Sequence, residues 1–237
     1  MEVKTEAIVL QAIDYKDNDK LLTLFSPSLG KITAGIRGVK KPTAKLAFAA
    51  QPFCFAEYVL AEKGGRYTVT SAYLHESFFS LRLDLDAFYA ACAAAEACKI
   101  LVPENERYDS TFIGFAECLK SLSLSEEEKG EAVIGFLLIA LRESGYPVDL
   151  HFESSEAALY FDFAQGRFSS FEDCVRGERA SLSTYHVLRK CAGLAYDENK
   201  IGGGRKRALR LLRAFMAEKT ESEFDNLSEF IKLYEEN

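Results

Sequence analysis

The sequence predicts an α+β, multi-domain fold: an N-terminal five-stranded β-barrel, then an all-helical domain carrying a small inserted β-hairpin. Three observations carry this reading. Short β-rich runs separated by turn residues fill the first 74 residues. From about residue 78 the apolar spacing changes to steps of three and four. Between 146 and 180 that helical spacing breaks again, around Gly166. The predicted units are 1–78 and 79–237, with the hairpin region at 146–180 inside the second.

Each strand has its own signal. Thr5 to Ala12 is β-rich, and Leu21 to Phe25 follows it. Pro27-Ser28-Leu29-Gly30 has the composition of a turn, since Pro fixes φ and Gly admits positive φ. In the next run Ile32, Ala34 and Ile36 share one face, while Lys31, Thr33 and Arg37 share the other. Phe53 to Leu60 and Tyr67 to Leu74 complete the set, with Gly64-Gly65 turning between them. Gly35 and Gly38 permit the bending that a small closed barrel needs. Five short strands without a long helix fit an oligonucleotide-binding (OB) fold.

Leu81, Leu85, Phe88, Cys92 and Ala95 place the first helix, whose alanines predict close packing. The second follows a cap at Asp109 or Ser110 and shows Phe112, Phe115, Ala116, Leu119 and Leu122 on one face. Ser125-Glu126-Glu127-Glu128 has the form of a capping box for the third, which Gly145 and Pro147 stop. Its middle, Val133 to Leu141, is apolar nearly all round and predicts the central buried helix. Ala158 to Phe163 and Arg167 to Phe171 read as the inserted hairpin, with Ala164-Gln165-Gly166 turning between them. Further helices are expected at 183–195, 205–217 and 222–235.

Composition excludes several classes. Of 237 residues, 48% are apolar and 27% charged, which suits a globular chain with a substantial core. The longest apolar stretch, Ala132 to Leu141, is too short to cross a bilayer, and the N-terminus lacks a secretory profile. A cytoplasmic chain is expected. Its six cysteines include no C-x-x-C pair and read as reduced core thiols. His75, His151 and His186 are scattered, and no nucleophile elbow, zinc-protease motif or phosphate-binding loop is present. Asp14, Asp17 and Asp19 form an acidic loop without the Gly and terminal Glu of a calcium site, so it reads as a solvated turn. Neither catalysis, a cofactor, a metal nor a small-molecule substrate is expected.

Charge supplies the functional signal. The net charge is −7, yet no Asp or Glu occurs between Lys20 and Glu57, a span of 36 residues. Lys20, Lys31, Arg37, Lys40, Lys41 and Lys45 lie in or beside that span. Cations gathered on one barrel suit a polyanion, because each one set against a phosphate releases condensed counterions. These six are the candidate DNA-binding residues, and Phe53, Phe55, Tyr58, Tyr67 and Tyr73 are candidate rings for base stacking. A second cluster, including Arg205, Lys206, Arg210 and Arg213, is a candidate contact for an acidic peptide or DNA. Lys206, Arg210 and Arg213 are spaced to share a stripe beside Leu209, Leu212 and Met216.

Thr5 to Leu10, Asp19 to Phe25, Gly30-Lys31-Ile32, Arg37-Gly38, Leu46 to Phe53, Tyr67 to Thr70, Glu76-Ser77-Phe78 and Leu81 to Leu85 resemble, in this order, the bacterial RecO family of recombination mediators. Gly145-Tyr146-Pro147 agrees further on. The resemblance implies an OB-fold barrel and a helical domain, and binding of single- and double-stranded DNA. It also implies strand annealing, action with RecR, and RecA loading onto strands coated by single-stranded DNA-binding protein, whose acidic tail is contacted. The expected setting is cytoplasmic and nucleoid-associated.

Two departures stand out. Many relatives carry two C-x-x-C pairs that form a zinc site after the Gly-Tyr-Pro segment; here His151 to Ser155 replaces the first pair and Cys174 alone stands near the second. One thiolate cannot complete a tetrahedral site, so this is a degenerate zinc-finger region filled by Phe161, Phe163, Phe168 and Phe171. Lys20 stands where relatives often have Arg, which keeps the charge and loses the bidentate fork. The alternatives are an RNA-binding OB-fold accessory factor or a protein-binding adaptor.

Overall fold

The computed structural model describes residues 1–124, 128–152 and 159–234. Five strands close into a barrel in the order β1-β2-β3-β5-β4: β1 (Glu2–Tyr15), β2 (Asp19–Ser26), β3 (Gly30–Ile36), β4 (Phe55–Lys63) and β5 (Arg66–Glu76). This is the OB-fold arrangement. Neighbours are antiparallel except β3 and β5, which pair in parallel over Ala34–Ile36 and Tyr67–Val69 and so shut the cylinder. A register shift between Val9 and Gln11 bends β1, letting its first half pair with β4 and its second half with β2.

The run Ala7-Ile8-Val9-Leu10 is apolar without alternation because both faces of β1 are covered. Ala7 and Val9 belong to the barrel interior with Leu22, Leu24, Ile32, Ile36, Tyr58 and Leu60. Ile8 and Leu10 point outward and join Phe25 and Phe53 in the core of the helical part. Edge-to-face contacts lock the two together: Phe25 meets Phe112 at 5.4 Å, and Phe53 meets Phe88 at 5.9 Å.

Helix α1 (Leu85–Leu101) begins where the Asp84 side chain accepts the backbone N–H of Ala87. Leu81, counted by spacing into this helix, is buried in the short 3-10 turn before it, and Leu85 is 63% exposed. Helix α1 shares the helical core with the helix expected to be central, whose run at Val133 to Leu141 is buried at Val133, Ile134, Phe136, Leu137, Ala140 and Leu141. On α1, Ala90, Ala91, Ala93, Ala94 and Ala97 are buried on one broad face, and small side chains let neighbouring helices approach it. Around it lie α2 (Asp109–Ser123), α3 (Lys129–Glu143) and α6 (Asp225–Leu233), with α4 (Leu182–Cys191) and α5 (Arg205–Thr220) beyond α3. All six cysteines are free thiols.

Two helix starts are capped from a neighbouring helix. The buried Glu96 of α1 accepts the backbone N–H groups of Asn226 and Leu227, at 3.0 and 3.1 Å, at the start of α6. Glu143 of α3 accepts those of Ser110 and Thr111, at 3.1 and 2.6 Å, at the start of α2. Glu128 caps α3 through Gly130 N–H; the remainder of the expected capping box, residues 125–127, lies outside the described residues.

The inserted element has three strands, β6 (Tyr160–Asp162), β7 (Arg167–Ser169) and β8 (Gly177–Arg179), in the order β7-β6-β8. It thus exceeds the expected hairpin by one strand. Residues 153–158, which include the end of the segment replacing the first cysteine pair and the expected start of β6, lie outside the described residues, as do 235–237. Phe161 and Phe168 are buried, Phe163 packs beside Phe161 at 5.7 Å, and Phe171 is 70% exposed, so three of the four rings fill space as expected and the fourth does not. A carboxylate organises the sheet's turns. Asp162, fully buried, accepts N–H groups from Ala164 (2.8 Å), Gln165 (3.3 Å) and Val175 (2.8 Å). Among the described residues no three His, Cys, Asp or Glu gather to hold a metal, and no helix is long and apolar enough to cross a membrane.

Candidate nucleic-acid interface

A groove of about 560 Å³ runs along the barrel wall where β2, β3 and β5 meet. Its cations come from four places: Lys16 in the β1–β2 turn, Lys20 on β2, Arg37 just past β3, and Arg66 at the start of β5. Tyr15 and Tyr67 supply rings, Thr33 and Thr68 supply small side chains, and Gly35 leaves the floor between them open. This placement follows from the barrel topology, because strands 2–3 and the loops joining strands 1–2 and 4–5 of an OB-fold lie together.

Local sequence shapes each part. Lys16 takes φ +54° in a tight turn, and its ammonium lies 5.2 Å from the Tyr15 ring centroid. Gly64 and Gly65, at φ +59° and +75°, turn β4 into β5 and set Arg66 at the rim. Gly35 has no side chain over the groove floor; a Cβ there would come no closer than 3.9 Å to Leu21 or Tyr67.

The segment after β3 is held by the acidic loop. Asp19 Oδ1 accepts the Gly38 N–H at 2.8 Å, and Asn18 O accepts the Lys40 N–H at 3.1 Å. Lys40 Nζ reaches Asp14 Oδ2 at 2.6 Å, and Lys20 Nζ lies 3.8 Å from Asp14 Oδ1. The Lys40 hydrogen bond, aided by the charges of Lys40 and Lys20, holds the Asp14 carboxyl below its ordinary range. Asp14 and Asp19 therefore position the basic rim, beyond the solvated turn that composition alone indicated.

The structure separates the six sequence-predicted cations. Lys20 and Arg37 line the groove, and Lys40 sits beside it, paired with Asp14. Lys41 and Lys45 are exposed on the loop that follows and do not line it. Lys31 leaves the set. Its side chain donates to the carbonyl oxygen of Lys99 at 2.5 Å, near Glu104 at 3.5 Å, and the residue is 8% exposed. It shares the outward face of β3 with Arg37 but sits at the other end, about 20 Å away at roughly 3.3 Å per residue, where the helices cover the strand. Among the described residues Lys16, Arg37, Lys41, Lys45 and Arg66 make no ion pair.

Sequence reasoning missed Lys16, Arg66 and Tyr15. The turn signal at Gly64-Gly65 was present, but only barrel closure shows that Arg66 lines the same groove as Arg37. Of the predicted rings, Phe53 and Tyr58 are buried, Tyr58 donating to Ala49 O at 2.9 Å. Phe55 packs against Phe112 and His75, Tyr73 is 59% exposed, and Tyr67 alone of the five lies in the groove.

The second basic cluster is also dispersed. Arg205 Nε bonds Glu131 at 2.9 Å and lies 3.8 Å from Glu128, tying α5 to α3. Lys206 Nζ donates to Tyr234 O, and Arg213 reaches Ser228 Oγ at 3.4 Å. Arg210 is exposed. The expected stripe beside the buried Leu209, Leu212 and Met216 therefore exists in register but is largely engaged in internal contacts.

Comparison with known proteins decides the family. Residues 1–78 match the family described as recombination protein O N terminal, and residues 82–227 match recombination protein O C terminal. The chain belongs to the RecO family. It is 31% identical to the DNA repair protein RecO of Desulforamulus reducens over 196 residues, which span 78% of this chain and 75% of that one. Against the RecO protein of Clostridium novyi it is 29% identical over 203 residues, 84% of this chain and 70% of the relative. For that of Clostridium perfringens the figures are 29% over 144 residues, 61% and 58%. RecO membership places this chain among DNA repair proteins, and gives the OB-fold groove its context.

Proposed function

We propose that the chain is a non-enzymatic recombination mediator in DNA repair. In this reading it binds single- and double-stranded DNA without sequence specificity and promotes annealing of complementary strands. With RecR it assists RecA loading onto strands coated by single-stranded DNA-binding protein. The observation that carries the DNA-binding part is the groove itself, where Lys16, Lys20, Arg37 and Arg66 converge from four elements around two tyrosine rings. Ammonium and guanidinium groups take phosphates, and ring faces accept any base, so the site holds a strand without reading it. A strand held that way keeps its base edges available to a complement. The partners follow from the family resemblance, and the exposed Arg210 with Arg213 is the part of α5 offered to an acidic tail.

The test is a strand-annealing assay on the full chain with Arg37→Glu and Arg66→Glu together, beside Lys45→Glu. Slow annealing in the first and near-normal annealing in the second supports the groove. Annealing by both variants at the parent's rate removes it. Matched DNA and RNA oligonucleotides in the same assay address the alternative, since tighter RNA binding points to 2′-hydroxyl contacts and an RNA role.

A further inference from the structure

We propose that a further phosphate position of the strand path lies between Lys20 and Lys40, and that the Asp14 carboxylate occupies it as an internal stand-in, holding the groove below its full affinity. The inference rests on the strand-binding role proposed above and deepens it, because it names a contact that regulates how tightly that site holds.

The geometry is that of one anion shared by two ammonium groups. Asp14 and Lys20 pair in register across β1 and β2, so their side chains leave the same face. Lys40 comes from the loop after β3. Its Nζ donates to Asp14 Oδ2 at 2.6 Å, while Asp14 Oδ1 lies 3.8 Å from Lys20 Nζ. A phosphodiester offers the same pair of charged oxygens. Lys20 also lines the groove, so the shared anion stands beside it, and the exposed Lys41 follows Lys40. The Lys40 hydrogen bond holds the Asp14 carboxyl below its ordinary range, so it is charged at neutral pH.

The Lys40 backbone does not depend on Asp14. Its N–H donates to Asn18 O at 3.1 Å, and the nearby Gly38 N–H donates to Asp19 Oδ1 at 2.8 Å. With the loop anchored separately, the Asp14 side chain acts on the ammonium groups alone. The three carboxylates of this turn thus divide. Asp19 is committed to the backbone, Asp17 is exposed and makes no ion pair among the described residues, and Asp14 neutralises.

The contact is weak enough to yield. The Asp14 side chain is 62% exposed, and ion pairs so open to water hold little free energy. A strand already seated on Lys16, Arg37 and Arg66 presents its next phosphate to Lys20 and Lys40 at high effective concentration, and displaces the carboxylate. The displaced carboxylate then gathers its own counterion, which offsets the one that phosphate releases. The strand stays exchangeable, as annealing to a complement requires.

The experiment is a fluorescence-anisotropy titration of a labelled single strand across ionic strength, with the full chain and its variants. Asp14, Asp17 and Lys40 are exposed, so their variants are expected to melt with the parent. Asp14→Asn is expected to bind several-fold tighter, with log K against log salt steeper by about 0.7, one added phosphate contact. Asp14→Asn combined with Lys40→Met is expected to return the parent slope. Asp17→Asn makes the same change in net charge and is expected to match the parent. Affinity of Asp14→Asn equal to or below the parent's overturns the inference. So does an equal gain in Asp17→Asn, which would be an effect of bulk charge, or a gain that survives Lys40→Met. Arg37→Gln with Arg66→Gln, titrated alongside, separates this inference from the groove reading. If that pair weakens binding while Asp14→Asn changes nothing, only this inference falls; if the pair changes nothing, both fall.

Discussion

The Lys31 ammonium lies 2.5 Å from the carbonyl oxygen of Lys99, joining the outer wall of β3 to the last turn of α1. That carbonyl is among those a helix end leaves without an internal partner, so a cation there satisfies it and complements the helix dipole. The joint continues beside it. Asn105 N–H donates to Lys31 O at 3.0 Å, Arg107 Nε reaches Pro27 O at 3.0 Å, and Arg82 reaches Pro52 O at 2.9 Å. Gly30 sits at φ +71° where any Cβ would collide with the backbone of Glu106.

Lys31→Met should therefore cost stability without touching the strand-binding groove. Leaving the Lys99 carbonyl without its donor costs about 1–3 kcal/mol. The exposed side of the Glu104 pair adds little. Denaturant unfolding should show a lower midpoint, with DNA affinity unchanged at temperatures where the variant is folded. Weaker binding with an unchanged midpoint would return Lys31 to the interface.

Gly35→Leu should obstruct the groove. The backbone there is ordinary strand, and the added Cβ meets only normal contacts at 3.9 Å, so the fold tolerates it. The rest of the side chain occupies the floor between Leu21 and Tyr67. Binding of a single strand is expected to weaken several-fold with no loss of melting temperature, measured by fluorescence anisotropy.

Glu96→Ala should destabilise the packing of α6 on α1. The buried carboxylate serves two backbone N–H groups and the Asn226 amide, at 2.9–3.1 Å. Losing it strands those donors, at a cost of about 2–4 kcal/mol. Glu96→Gln, which keeps one acceptor, should recover part of it in equilibrium unfolding.

Asp162 gives the small sheet an acid-sensitive fastening. Burial alone would raise its pKa, but hydrogen bonds from the backbone N–H groups of Val175, Ala164, Gln165 and Arg176 outweigh burial and lower it. A depressed folded-state pKa means this stabilisation is complete above the unfolded value near 3.8 and disappears as pH falls through the lower folded one. Asp162→Asn should accordingly be less stable than the parent at neutral pH, with the two converging below about pH 4. Melting curves across that range check it.

Much of the fold could be read from the chain, because strand alternation and turn chemistry are local. Pro27 to Gly30 and Gly64-Gly65 marked real turns, and Ile32, Ala34 and Ile36 did face the interior. The apolar run at Val133 to Leu141 marked a helix whose Val133, Ile134, Leu137 and Leu141 are fully buried. Alanine is only mildly apolar, yet it permits the closest approach, and α1 is built from it. The interface was half legible. Alternation puts Lys31 and Arg37 on one face of β3 but is silent on which end the helices cover. Arg66 is far from Arg37 in sequence and shares the groove with it only through the parallel β3–β5 pairing that closes the barrel.

The central claim, that the barrel groove grips a sugar–phosphate chain, is tested most directly by titrating a labelled single strand across ionic strength. With about four phosphates held by Lys16, Lys20, Arg37 and Arg66, log K against log salt should slope by about −3. Arg37→Gln with Arg66→Gln should make it shallower by roughly 1.4, at about 0.7 per lost contact. An identical slope in parent and variant would contradict the account.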